Sequence, residues 1–154
     1  MTTAKHQHIR AGTPDPALIQ LAAERIRKGG VVVCPTSGLY GLAADPFQPV
    51  AVERVFAIKG RPADQPLLVL VSSRTALPRL AAEIPPAAHT LLNRFWPGGL
   101  TLVVPAHPDL PAALTGGTAK IGIRQTAHSV ARALAKAAGG VITGTSANRS
   151  GHPG

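Results

Sequence analysis

The sequence predicts an α/β fold in a single domain: a twisted, mixed, open sheet with helices on its faces. Three observations carry that expectation. Segments with helical periodicity alternate with short continuous apolar runs, the pattern of strands interleaved with helices. The chain has 154 residues, 45% of them apolar, which is enough to bury a core without covalent staples. No repeat or linker divides it.

Asp15-Pro16 reads as an N-cap followed by proline in the first helical turn. Leu18, Leu21, Ala22 and Ile26 recur at helical spacing until Gly29-Gly30 ends the run. Val31 to Cys34 is a short apolar run, expected as a strand buried on both faces. Pro35 stops it, and Thr36 to Gly41 is expected as a turn. A second helix is predicted from Val50 to Lys59, with Val52, Val55 and Phe56 inward and Gly60 at its end. Leu67 to Val71 is the next strand, and Pro85-Pro86 separates helical pieces at Thr75–Ala82 and Ala87–Phe95. Trp96-Pro97-Gly98-Gly99 makes a turn before a strand from Leu100 to Val104. The Pro- and Gly-rich stretch from Pro105 to Thr118 is read as loop, which offers no helical crossover and leaves the sheet mixed. Lys120–Arg124 is a strand, Ala127–Ala138 a helix and Val141–Thr145 the last strand.

Composition narrows the function. Sixteen Lys and Arg against seven Asp and Glu give a formal charge of +9, which favours anionic partners such as nucleotides or RNA. The seven carboxylates are scattered, with no pair for glycosidase chemistry and no carboxylate-rich metal cage. No protein-held metal is therefore expected. Cys34 is the one cysteine, which excludes a disulfide framework and a Cys-rich zinc site; between Val33 and Pro35 it reads as an inert strand residue. Residues 1–14, with His6 and His8, are expected to be a flexible N-terminal segment without a signal peptide's apolar stretch. No run is long enough for a transmembrane helix, so a cytoplasmic setting is expected.

Polar residues collect just after the apolar strands. Thr36 and Ser37 follow the first, Arg124 ends the Lys120 strand, and Thr145, Ser146 and Asn148 leave the last. Singly, each is an ordinary turn or cap residue. As a set they point to a crevice at strand ends, where open α/β sheets bind ligands. Lys59-Gly60-Arg61-Pro62 puts a point charge and a planar fork beside a fixed backbone, a pairing suited to polyphosphate. Residues Thr143 to Gly151 form a hydroxyl-rich loop that can offer N–H groups to phosphate or ribose oxygens. Neither a Walker A loop nor a Rossmann glycine fingerprint is present.

Taken in order, several segments resemble one family. They are Pro35-Thr36-Ser37-Gly38-Leu39-Tyr40-Gly41-Leu42, Lys59-Gly60-Arg61 with Pro66-Leu67, Phe95-Trp96-Pro97-Gly98 with Leu100-Thr101, Ile123-Arg124, and Ser146-Ala147-Asn148 with Ser150-Gly151. This series is similar to the YrdC-like family of threonylcarbamoyl-AMP synthases, over residues 17–154. The resemblance implies a YrdC-like domain over residues 15–154 with a basic concavity. It also implies a nucleotidyl transfer: L-threonine, bicarbonate and ATP, the last with Mg²⁺, give threonylcarbamoyl-AMP and pyrophosphate. That product feeds threonylcarbamoyl-adenosine modification of tRNA together with partner proteins. In this reading Lys59 and Arg61 are catalytic and neutralise the phosphates. Thr36, Tyr40, Thr101 and Arg124 bind threonine and its carbamate, and Thr145, Ser146 and Asn148 hold the nucleotide. Ser37-Gly38, Gly99 and Gln125-Thr126 depart from the family pattern, and the sequence stops at Gly154 before a further Ser-Thr-Val segment usual in the family. A non-catalytic RNA- or nucleotide-binding paralogue is the alternative reading, resting on the charge.

Overall fold

The computed structural model describes residues 13–153. Helix α1 (Pro16–Arg27) opens on the expected cap: the Asp15 carboxylate accepts from the N–H groups of Ala17 and Leu18 at 2.9 and 3.2 Å. It buries Ile19, Ala23 and Ile26, while Leu21 is 45% exposed. The sequence carries two overlapping apolar stripes that share Ile26, and packing against α5 (Ser129–Ala137) selects the one not predicted.

Strands β1 (Val32–Pro35) and β2 (Tyr40–Ala43) form an antiparallel hairpin, with Val33 opposite Leu42 and Pro35 opposite Tyr40. Two expectations fail here. The predicted turn ends at Leu39, because Tyr40 to Ala43 is a strand; its Gly and Ala content gives it little intrinsic strand signal. Nor is β1 buried on both faces: it lies at a sheet edge, so Cys34 faces the core and Val33 is 57% exposed.

Helix α2 (Pro49–Lys59) buries Ala51, Val52 and Val55 and ends at Gly60, whose φ of 57° is the left-handed cap that glycine tolerates. Next come β3 (Leu68–Val71), a 3₁₀ turn (Arg74–Arg79) interrupted by Pro78, and α3 (Pro86–Phe95). A cis Trp96–Pro97 bond leads into β4 (Leu102–Pro105). The expected loop contains one short helix, α4 (Ala112–Thr115), before β5 (Lys120–Gln125). The last predicted strand splits into β6 (Val141–Thr143) and β7 (Thr145–Ser146).

The strands make two sheets rather than the single one expected: β1-β2-β7, and a mixed β4-β5-β3-β6 in which only β3 and β5 are parallel. One face of the larger sheet, with Val69, Val71, Val104, Ile121 and Ile123, packs under α2, the 3₁₀ turn and α3. On the other face Leu70 and Ile142 are covered by α1, α5 and Cys34 of β1. That second cover stops short of β4 and the start of β5, where the face is open.

Gly144 lets the chain pass from one sheet to the other. A Cβ there would stand 2.7 Å from Cγ of Leu70, closer than atoms can pack. Gly144→Ala is expected to destabilise the domain by about 1–3 kcal/mol through overpacking. Gly99→Ala, where a Cβ would meet nothing within 4 Å, is expected to be neutral or stabilising by up to about 1 kcal/mol. Urea denaturation of the two variants checks this; equal losses would refute the close-approach account.

Candidate active site

Strand alternation decides what the open face presents. On β5, Ile121 and Ile123 point into the core, so Lys120, Gly122 and Arg124 share the opposite face. The parallel register sets Leu68 beside Gly122 and Leu70 beside Arg124, and β4 brings Val103 against Gly122. Both Nε and Nη2 of Arg124 donate to the Thr101 hydroxyl, at 3.0 and 2.8 Å, which fixes the guanidinium. Its remaining donors are available to a ligand.

Two crevices open over this floor. One, of about 310 Å³, is lined by Thr36, Ser37, Gly38, Leu39, Arg124, Thr126, Thr145 and Ser146 above Leu68 and Leu70. The other, of about 580 Å³, is lined by Pro66, Thr101, Val103, Thr118, Lys120 and Gly122, and it also touches Leu68. The Thr101–Arg124 pair joins them. No carboxylate lines either, so the only formal charges in their walls are positive. Such a site suits an anion.

The walls come from two turns. The Thr36 hydroxyl donates to the Leu39 carbonyl and closes the β1–β2 turn. Opposite it, β7 pairs with β2, Gly41 beside Ser146 and Leu42 beside Thr145. Lys59, at the end of α2, is only 3% exposed. Its ammonium donates to the carbonyl oxygens of Ser146 and Asn148 at 2.5 and 2.7 Å, with the Asn148 side-chain oxygen at 3.5 Å. Burial and then the neighbouring Arg61 charge lower its pKa; the three oxygens it faces favour the ammonium and oppose that shift. Arg61 folds onto the next loop, donating from Nε and Nη2 to the Gln65 and Pro66 carbonyls at 3.2 and 2.8 Å.

The structure therefore brings Thr36, Arg124, Thr145 and Ser146 into one crevice and Thr101 into the adjoining one. Lys59 and Asn148 stand behind the Ser146 wall, bonded to each other. Arg61 is tied to Pro66 at the crevice rim. Tyr40 lines neither crevice: the residue is 62% exposed, and its backbone carbonyl accepts from Ala147 N–H at 2.8 Å. Sequence reasoning missed Thr118, Lys120 and Thr126. The period-two alternation running back from Arg124 through Gly122 to Lys120 was the available signal. Ser37 and Gly38 line the crevice, and Gln125 donates to the Ser72 carbonyl at 3.3 Å. His6, His8 and the rest of the predicted flexible segment up to residue 12 lie outside the described residues.

A mixed sheet with one half-open face, carrying a fixed arginine and walled by hydroxyl-rich turns, defines an α/β domain whose crevice has the charge and polarity that suit an anionic small molecule. The Sua5/YciO/YrdC family model, described as telomere recombination, matches residues 24–154, and the chain belongs to that family. It is 44% identical over 135 residues to the threonylcarbamoyl-AMP synthase of Pyrococcus abyssi, covering 88% of this chain and 40% of that relative. With the threonylcarbamoyl-AMP synthase of Alkalilimnicola ehrlichii it shares 42% identity over 135 residues, covering 88% of this chain and 70% of the relative. Among solved structures, P. abyssi Sua5 complexed with L-threonine superposes with a TM-score of 0.85 at 44% identity, over 88% of this chain and 40% of that one. The chain thus spans about two fifths of the archaeal relative's length.

Cys34 plays no part in this site. It is buried, and burial pushes its thiol up to about 11 from 9.0, so thiolate is scarce near neutrality. Because the folded state resists ionisation, the unfolded chain loses the proton first, and stability falls as pH rises from 9 through 11. The expected loss is about 1–3 kcal/mol across that window. Cys34→Ala should lack that component, whatever its baseline stability; denaturant titrations of both proteins between pH 8 and 11 check it.

Proposed function

We propose that this domain makes threonylcarbamoyl-AMP and pyrophosphate from L-threonine, bicarbonate and ATP, in the cytoplasm, as the activated precursor for threonylcarbamoyl-adenosine in tRNA. The observation that carries the reading is the Thr101–Arg124 pair on the floor of a carboxylate-free crevice. It supplies a fixed, cationic fork for the carboxylate of an amino acid. Membership of the family and the name of its archaeal relative support the same assignment.

In the proposed reaction, threonine's amine and bicarbonate give a carbamate and water. A carbamate oxygen then forms a bond to the α-phosphorus of ATP, and the bond from that phosphorus to the bridging oxygen breaks, its electron pair leaving with pyrophosphate. The nucleophile is already an anion, so no protein base is required. The chain's tasks are positioning and charge stabilisation. Arg124 and Thr101 hold the threonine carboxylate, with Thr36 across the crevice. Thr145 and Ser146 face the nucleotide, and Arg61, beside the charge of Lys59, faces the polyphosphate. Mg²⁺ would accompany ATP, held chiefly by its phosphates and water. No helix among the described residues is long and apolar enough to cross a membrane. Transfer of the product to tRNA would involve partner proteins, and the formal charge of +9 supports direct contact with tRNA.

The folded protein should release pyrophosphate from ATP and Mg²⁺ only when threonine and bicarbonate are both present. Arg124→Ala should raise the threonine KM at least about tenfold, the loss of one charge-assisted contact. Arg61→Ala should chiefly impair use of ATP. No pyrophosphate from folded protein under these conditions would refute the synthase. Salt-sensitive tRNA binding in that case would identify a non-catalytic RNA-binding member instead.

A further inference from the structure

The most heavily bonded cation in the described chain is Lys59. Its ammonium faces the carbonyls of Ser146 and Asn148 and the Asn148 side-chain oxygen, and its own carbonyl accepts from Ser150 N–H at 2.8 Å. Asn148 is equally committed: while its Oδ1 faces Lys59, its Nδ2 donates to the His152 carbonyl at 2.6 Å. A lysine has three donors and no acceptor; two are committed to short carbonyl bonds and the third faces the Asn148 side-chain oxygen at 3.5 Å, so the ammonium is turned toward the protein rather than toward a phosphate. Arg61, by contrast, uses Nε and one Nη2 proton and keeps the rest of its fork.

We propose that Lys59 is a positioning residue: it clamps the Ser146–Ser150 segment to the end of α2 and reaches the substrate only through that segment, leaving Arg61 as the direct phosphate contact. The inference rests on the nucleotide site of the proposed function, and it assigns different parts to two residues of one motif. The buried geometry accounts for the division. A compact ammonium fits inside a ring of carbonyl oxygens, where a planar guanidinium does not. The crevice rim, where Arg61 lies half-buried on Pro66, suits a fork that must meet a ligand.

The test compares AMP and ATP binding with amide exchange, using the full chain. In Lys59→Gln and Lys59→Ala the segment that walls the nucleoside loosens. Affinity for AMP and ATP should then fall by the same factor, about tenfold to a hundredfold. Exchange at residues 146–150 of the ligand-free protein should accelerate at least tenfold. Arg61→Ala should weaken ATP binding and leave AMP binding within twofold, with exchange at 146–150 unchanged. Unchanged exchange in the Lys59 variants, or a loss confined to ATP, would overturn the assignment. Should both Lys59 variants fail to fold, Lys59→Met, which keeps the buried apolar stem and removes only the ammonium, supplies the same comparison with the same criteria. If the parent protein binds neither nucleotide the proposed function fails, while the exchange data still decide whether Lys59 is the clamp.

Discussion

At Thr143–Gly144 the chain leaves the larger sheet and joins the smaller one, and the site exists because it does so. Thr143 is 1% exposed, yet its hydroxyl donates to the Leu42 carbonyl at 3.0 Å and accepts from Ala44 N–H at 2.9 Å. Its backbone N–H donates to the Ala44 carbonyl at 2.9 Å. A buried hydroxyl with both capacities met is a firm stitch, since removing it takes a hydrogen bond from the Leu42 carbonyl of β2 and another from the Ala44 N–H just beyond that strand. One residue on, Gly144 slides over Leu70 where no side chain fits and donates to the Leu68 carbonyl at 2.7 Å. The crossing carries Thr145 and Ser146 over the open half of the face and delivers Asn148 to Lys59. Without it the floor around Arg124 would have one wall.

The charge balance follows a related logic. Among the described residues no Lys or Arg forms an ion pair with a carboxylate; the one such contact is His107 to Asp109 at 3.7 Å. Arginines instead meet the carbonyls at helix C-termini. Arg27 donates to Ala137 at 2.6 Å, Arg79 to Gly139 at 3.0 Å, Arg54 to Gly29 at 2.7 Å, and Arg74 to Leu92. These carbonyls carry the negative end of each helix dipole, so a cation there is stabilising. The arrangement holds α1, α3 and α5 to their neighbours while leaving the formal positive charge of the chain intact. A field of that sign raises the local concentration of anions around a crevice that holds no carboxylate of its own.

Periodicity and capping residues were sufficient for α1, α2 and the strands of the larger sheet, because each reads locally: Asp15-Pro16 starts a helix, Gly60 ends one, and Leu67 to Val71 is an apolar run. What failed was decided by partners distant in sequence. Whether Ile19 or Leu18 turns inward depends on α5. Tyr40 to Ala43 becomes a strand by pairing with β1 on one side and on the other with β7, more than a hundred residues later. The split of the last strand turns on one glycine passing Leu70, a contact that no local pattern encodes. The crevice residues Thr36, Arg124, Thr145 and Ser146 were readable as polar groups at strand ends. Tyr40 belongs to one of the sequence motifs, but it stands 62% exposed at the start of β2. Lys59 and Asn148 were found as a motif, but their bond to each other is a tertiary fact, invisible in two tripeptides eighty-seven residues apart at Lys59 and Ser146.

The proposed chemistry explains why such a site keeps its cations free. A carbamate and a polyphosphate are both anions, and bringing unit charges of one sign to about 4 Å costs about 4 kcal/mol at the effective dielectric of a protein surface. An arginine already paired with a carboxylate would offer little relief, since its field is largely cancelled. Arg124, held by a neutral hydroxyl, and Arg61, held by neutral carbonyls, are fixed without being neutralised. Orientation and charge are thus supplied by different atoms: oxygens of threonine and of the backbone set the geometry, and the guanidinium charge remains for the reacting anions. That separation is what a crevice needs if it stabilises a charged transition state by preorganisation rather than by moving a proton.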